Sequence, residues 1–228
     1  MTDIALIPAR RGAGKNMTML ADRPLAEYAI RSALSWFKPA DIVVSTDCPD
    51  VTELAKRYET MVLPRPAELC TPESNIVATI LHAAKLLDDA SSVTLFQPTS
   101  PFVCKEHIKP VLEEDIGKWA SVQTCHSTPH QYHMMNQRCI VGAGTVDFWF
   151  DERHEMPNKQ DKPLVLSFGN LVRMRVGAVR EQNTPFPAPS KPVIIDRAFS
   201  HDVDTPMDVV LAEALLFHGL VRLPHLEQ

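Results

Sequence analysis

Glycine is scarce in this chain: 8 of 228 residues, against 19 prolines. Average usage runs the other way, at about 7% glycine and 5% proline. The deficit excludes a glycine-repeat fibre. With 45% hydrophobic and 22% charged residues, the chain is not composed like a disordered segment either. Cysteine is sparse and makes no pattern: the five, at 48, 70, 104, 125 and 139, form no CxxC pair and no even framework. That usage reads as free thiols in a reducing cytoplasm. Long apolar runs are missing too; none approaches the roughly 18 residues that would cross a bilayer, so no membrane partner is expected. The start, Met-Thr-Asp followed by a strand-like Ile4–Ile7, lacks the basic and long apolar regions of a signal peptide. Charge of one sign is lacking as well. Lys plus Arg is 23 and Asp plus Glu is 28, giving a net charge of −5. That balance is too mild for a dedicated nucleic-acid or membrane-surface binder. The length fits one domain over 1–228, with a core large enough to need no staples.

What is present is an alternation. Short apolar, β-branched runs at 4–7, 41–45, 60–63, 93–96 and 120–124 read as strands. Between them, 24–37, 50–58 and 74–87 carry apolar residues at helical spacing, the last with a Ser at its start. A weaker helix over 105–112 must place Pro110 in its first turn or kink there. Strand–helix alternation predicts an α/β fold: a mostly parallel sheet with right-handed crossovers and helices on both faces. Over 127–164 the pattern breaks into His, Gln, Met, Pro and Asn, which reads as an excursion from the sheet. Returning strands are expected at 171–179 and 193–195, around a proline-rich loop (185–192) of extended polyproline geometry. The last helix is announced by Thr205 as N-cap, Pro206 at N1 and Asp208 at N3, and Gly219 ends it.

In parallel sheets of this kind ligands bind beyond the carboxyl ends of the strands, which directs attention to the loops there. The loop after the first strand, Pro8-Ala9-Arg10-Arg11-Gly12-Ala13-Gly14-Lys15-Asn16, joins glycines that admit phosphates to backbone N–H groups with cations that neutralise them. It also reads as a basic surface loop, and it lacks P-loop spacing. Ser200–Thr205 places Asp202 and Asp204 two apart; if extended, both project to one face, where a divalent ion with a substrate phosphate relieves their repulsion. A helix-capping loop is the alternative. Gln97-Pro98-Thr99-Ser100-Pro101 is a strand end stiffened by two prolines, or simply a terminating turn. Arg65, clamped between Pro64 and Pro66, offers a rigid donor fork to a phosphate, carboxylate or base edge, or is a surface Arg in a turn. His126, His130 and His133 have a zinc-like spacing, but Pro129 interrupts any helix that would converge them.

Taken in order, these pieces resemble the CMP-acylneuraminate (CMP-sialic acid) synthetases. The carriers are IPAR (7–10), KN (15–16), RPLAEYAI (23–30), DIVVSTD (41–47), RPAEL (65–69), ILHA (80–83), FQPTSP (96–101) and HDVDT (201–205). The resemblance implies a Rossmann-like nucleotidyltransferase fold and transfer of CMP from CTP to the anomeric hydroxyl of a nine-carbon keto-sugar acid, with Mg²⁺ as cofactor. It places Arg10, Lys15, Asp202 and Asp204 in catalysis. It places Ala9, Arg10, Gly12, Lys15, Asn16 and Arg65 at the nucleotide, with Ser74 or Asn75 standing where the family has a Ser. Gln97, Ser100 and Asp202 fall at the sugar, and Asp202 and Asp204 at the metal. It makes 127–164 a dimerisation excursion of a homodimer. Two departures stand out. Arg10 and Lys15 are only five apart, closer than in the family, and Phe168-Gly169-Asn170 stands where the family has an Asn-Gly facing the sugar. Another sugar acid or nucleotide, or a non-catalytic nucleotide binder, are the rival readings.

Overall fold

The computed structural model describes residues 2–226 apart from 13 and 86, so Ala13 of the expected phosphate loop and Leu86 of the expected third helix lie outside the described residues. The chain opens with β1 (Asp3–Pro8), a short ribbon of β2 (Met19–Leu20) and β3 (Arg23–Pro24), and α1 (Leu25–Leu34). Then come β4 (Ile42–Thr46), α2 (Pro49–Arg57), β5 (Met61–Pro64), α3 (Ile76–Ala83), β6 (Ser92–Leu95), α4 (Lys105–Glu113) and β7 (Ser121–Ser127). A separate hairpin of β8 (Arg138–Val141) and β9 (Thr145–Phe148) precedes β10 (Leu166–Arg175), α5 (Val176–Gln182), β11 (Ser190–Ile194) and α6 (Pro206–Phe217). Seven strands make one sheet in the order β11-β7-β10-β6-β1-β4-β5. All neighbours are parallel except β10, which runs antiparallel to both β6 and β7. The expected α/β sheet is therefore present, with one reversed strand inserted near its middle.

Alternation along β1 shows why both faces are covered. Ala5 and Ile7 join a core with α1, α2 and α4, whereas Ile4 and Leu6 join a second core with α3 and α5. A third cluster gathers Leu20, Tyr28, Phe102, Val203 and Ala212 beneath α6. Among the described residues no helix is long and apolar enough to cross a membrane.

Four local expectations need correction. Residues 171–179 are not one strand: β10 ends at Arg175, and Val176, Ala178 and Val179 bury themselves as one face of α5. Pro110 does not lie in the first turn of α4, and the helix continues through it. It sits in the helix's second half, where the hydrogen bond it forgoes would have used the carbonyl of solvent-exposed Glu106. Pro192 belongs to β11 rather than to a loop. That strand is the sheet edge and pairs only with β7, so a missing N–H is tolerated. The start of α3 is likewise capped by Asn75, whose side chain accepts from Ala78 N at 2.9 Å, and not by Ser74. The cap of α6 is as expected: Thr205 N and Oγ1 donate to Asp208 Oδ2 at 2.7 and 2.8 Å.

Candidate active site

At the carboxyl edge of the sheet, the loops after β1, β5 and β6 and the start of α3 enclose a cavity of about 450 Å³. That volume lies within the range of small-molecule sites. Eight of the twelve residues assigned from sequence line it: Arg10, Gly12, Lys15, Asn16, Arg65, Ser74, Asn75 and Gln97. Arg11 and Thr99 line it as well. Ala9 lies beneath the floor, fully buried, with its N–H spent on Ser45 O and its carbonyl on Thr46 Oγ1. Those bonds tie the loop after β1 to the end of β4.

The loop is held from several sides. Asn16 Nδ2 donates to Arg10 O at 2.7 Å, and Arg11 N donates to Asp47 Oδ1 at 2.6 Å. Gly12 and Gly14 adopt positive φ of 40° and 79°, which turns the chain back toward Lys15. The Arg10 guanidinium donates to the carbonyls of Cys70 and Thr71, fastening the loop across the cavity mouth. Arg65 Nε and Nη2 donate to Ser45 Oγ and O at 3.2 and 3.0 Å, and burial lowers its pKa. Ser74 Oγ is buried and, among the described residues, has no hydrogen-bond partner. A hydroxyl in that state beside a cavity is a group prepared for a ligand. The sequence left Ser74 and Asn75 interchangeable; the structure divides them, one as cap and one as open donor.

Asp202 and Asp204 flank Val203, which is pegged into the third core at 2% exposure and donates its N–H to Thr99 O at 2.7 Å. Asp204 Oδ1 receives Lys15 Nζ at 2.6 Å. Asp202 Oδ1 receives Ser100 Oγ at 3.3 Å. The Asp202 pKa is raised, chiefly by desolvation and further by the charge on Asp204, against hydrogen bonds from Thr99 and Ser100 and the charge on Lys15. Among the described residues no cluster of three or more His, Cys, Asp or Glu is placed to hold a metal. The carboxylate pair offers instead the donor count that Mg²⁺ accepts when phosphate oxygens and water complete its shell, and the mutual repulsion of the two fits a divalent ion between them.

Asp202 does not face the first cavity. It lines a second one, of about 550 Å³, with His126, Tyr132, Ser167, Arg197 and His201. Sequence reasoning assigned Tyr132, Ser167 and Arg197 to no site, weighed His126 only for a zinc-like spacing, and met His201 only as part of the segment that carries Asp202. Asn170, from the segment that departs from the sialic-acid pattern, lines neither cavity. It is 1% exposed, its Nδ2 donating to Phe102 O and Phe199 O at 3.3 and 3.0 Å. The arrangement is two adjoining cavities, one rich in cations, with an acidic pair where the segment after β6 meets the segment before α6.

Comparison with known proteins agrees with this architecture. A family model described as cytidylyltransferase matches residues 4–186. The chain is 29% identical to the CMP-N,N'-diacetyllegionaminic acid synthase of Legionella pneumophila over 228 aligned residues, covering 95% of this chain and 97% of that protein. It is 39% identical to the N-acylneuraminate cytidylyltransferase of Escherichia coli over 109 residues, covering 46% of this chain but 26% of that longer protein. Among solved structures, CMP:2-keto-3-deoxy-manno-octonic acid synthetase complexed with CTP superposes with a TM-score of 0.69 at 14% identity, covering 96% of this chain and 100% of that one. A 4-diphosphocytidyl-2C-methyl-D-erythritol synthase from Anaerococcus prevotii gives 0.63 at 15% identity, covering 95% and 98%. At such identities the likeness is one of fold.

Proposed function

The chain belongs to the cytidylyltransferase family, and we propose that it transfers CMP from CTP to the anomeric hydroxyl of a nine-carbon, sialic-acid-like keto-sugar acid, releasing pyrophosphate. The observation that carries this reading is the junction at Asp202. A carboxylate of raised pKa sits beside the cation-lined cavity and opens into a second cavity able to take an acceptor.

In the reaction so read, CTP occupies the first cavity. Arg10 and Lys15, with Gly12 and Asn16 of the same loop, hold the phosphates, and Arg65 with Ser74 contacts the cytidine part. The acceptor occupies the second cavity with its anomeric hydroxyl toward Asp202. That carboxylate takes the hydroxyl proton as the oxygen bonds to the α-phosphorus, and the bond to the β-phosphate breaks in line. A carboxylate whose pKa lies above its ordinary value is better matched to this role near neutral pH. Asp202 and Asp204 would hold Mg²⁺, which supplies charge neutralisation to the transferring phosphate. Lys15 both lines the nucleotide cavity and pairs with Asp204, so it is placed to exchange that carboxylate for phosphate oxygens. Ser100, buried, acts on the sugar through its hydrogen bond to Asp202, and Gln97, which lines the first cavity, meets the sugar where the two cavities approach each other.

The same reading includes a cytoplasmic homodimer. Its support is that the five cysteines are free thiols and that the β8–β9 hairpin and its flank expose Ile140, Val146 and Trp149. Residues 127–164 would then be the dimerisation excursion. A grid of nucleoside triphosphates against N-acetylneuraminic, N,N'-diacetyllegionaminic and pseudaminic acids, read by pyrophosphate release, tests the activity. Release that requires CTP, Mg²⁺ and one of these acids is the expected result. Release with no nucleotide and acid pair overturns it.

A further inference from the structure

Arg197 is the arginine among the residues that line the second cavity. Among the described residues no carboxylate lies within salt-bridge distance of it and no hydrogen bond engages its head group. Its guanidinium lies over the ring of Tyr132, 5.7 Å from the guanidinium carbon to the centroid. Such a stack orients a guanidinium while leaving its donor edge open. The backbone beneath it is fixed. Asp196 caps the short turn Arg197–Ser200 by accepting from Ala198 N at 2.8 Å, and Ser200 Oγ donates to Arg197 O at 2.7 Å. Five residues further on, in the same cavity, stands Asp202.

We infer that Arg197 binds the carboxylate of the acceptor and thereby selects 2-keto acids over neutral sugars, an inference that rests on the activity proposed above. The chemistry of the acceptor requires such a group. In a 2-keto-sugar acid the carboxylate on C1 is bonded directly to the anomeric carbon C2, whose hydroxyl must reach Asp202. The acceptor therefore brings its own negative charge next to the carboxylate of Asp202, with that of Asp204 two residues on. A cation facing the C1 carboxylate offsets the repulsion between these two negative groups. An open guanidinium on the same rigid segment meets the need, and its planar fork suits a carboxylate bidentately. Tyr132 belongs to the stretch between β7 and β10, so that stretch contributes to acceptor choice by setting the guanidinium's orientation.

The test compares wild type with Arg197→Gln and Arg197→Lys. The probes are N-acetylneuraminic, N,N'-diacetyllegionaminic and pseudaminic acids and their methyl esters. Binding is measured by calorimetry with the non-hydrolysable CTP analogue present, and turnover by pyrophosphate release. Wild type should bind one acid in clear preference to its ester. R197Q should weaken that acid about tenfold or more, leave the ester unchanged and keep the KM for CTP within about twofold, with R197K intermediate. Equal weakening of acid and ester, or an acid that binds R197Q as well as wild type, overturns the assignment, as does a wild type indifferent to esterification. The two readings fail separately. Turnover that survives R197Q intact leaves the proposed reaction standing without Arg197. Acid binding that depends on Arg197 but is followed by no pyrophosphate release leaves Arg197 standing without the reaction.

Discussion

Lys15 Nζ lies 2.6 Å from Asp204 Oδ1, a contact between residues 189 positions apart in the chain. It joins the first loop of the sheet, which lines the first cavity, to the segment that precedes the last helix. Both side chains are well exposed, so the pair itself stabilises the fold little. Asp204→Ala should therefore abolish metal-dependent pyrophosphate release while the thermal midpoint stays within about 2 °C of wild type. Full activity in that variant would remove Asp204 from the metal.

Arg10 spans the cavity mouth to the carbonyls of Cys70 and Thr71. Arg10→Ala should raise the KM for CTP by tens-fold, about 2 kcal/mol of binding, and leave the KM for the sugar acid near its original value. Steady-state kinetics with each substrate varied in turn checks this. An unchanged KM for CTP would mean that phosphate binding does not depend on the shortened loop.

Asp202 carries a second, opposite expectation. Its pKa is raised in the folded chain, so folding at neutral pH must hold a charged form that the surroundings disfavour. Asp202→Asn should thus raise the thermal midpoint at pH 7, and lose that advantage as pH falls toward the ordinary carboxylate range, while turnover is lost. A variant both inactive and destabilised at pH 7 would contradict the sign of this argument.

Burial pushes the imidazoles of His107 and His225 down to about 4. His107 Nδ1 faces two donors, Cys104 N at 3.4 Å and Asn170 Nδ2 at 3.1 Å, which a proton there would oppose. The unfolded chain takes up protons near pH 6.5 and the folded one does not. Stability is therefore full above about 6.5 and falls as pH drops toward 4, by at most about 3 kcal/mol for each histidine. Urea unfolding from pH 8 to pH 4 should show this fall, and His107→Gln should flatten roughly half of it. A slope unaltered in that variant would assign the proton uptake elsewhere.

Gly169 sits against Thr124: a Cβ there would meet Thr124 Oγ1 at 2.6 Å and Ile195 Cδ1 at 2.9 Å. Thr124 Oγ1 also receives the N–H groups of Asn170 and Leu171 at 2.8 and 2.9 Å. Gly169→Ala should cost about 1–3 kcal/mol, seen as a lower urea midpoint with unchanged m value. Unaltered stability would show that β7 and β10 can part without cost.

The sheet was legible because its strands are short, apolar and β-branched, and because the rule that ligands gather at carboxyl ends needs only strand order to apply. That rule located the first cavity from Arg10, Lys15, Arg65 and Gln97. The second cavity was not legible. Tyr132, Ser167 and Arg197 come from three separate segments with no shared spacing. The reversed strand β10 is what brings them together, and nothing local in its sequence announces its direction. The misreading at 176–179 has a simpler origin: four apolar or small residues in a row fit a buried strand as well as one face of a short helix.

The reversal of β10 has a consequence for how this chain can change. Ser127 and Leu166 are directly opposed in the ladder, and Thr128 N donates to Val165 O at 2.9 Å. The long stretch between them thus leaves and re-enters the sheet through adjacent doors at the edge where the cavities open. Residues there can be lengthened, shortened or exchanged without shifting a single register of the sheet. That stretch supplies Pro129 and Tyr132 to the second cavity and none of the residues that line the first. A lineage built on this plan could reshape one wall of the second cavity by rewriting a single cassette while the lining of the first stayed as it is.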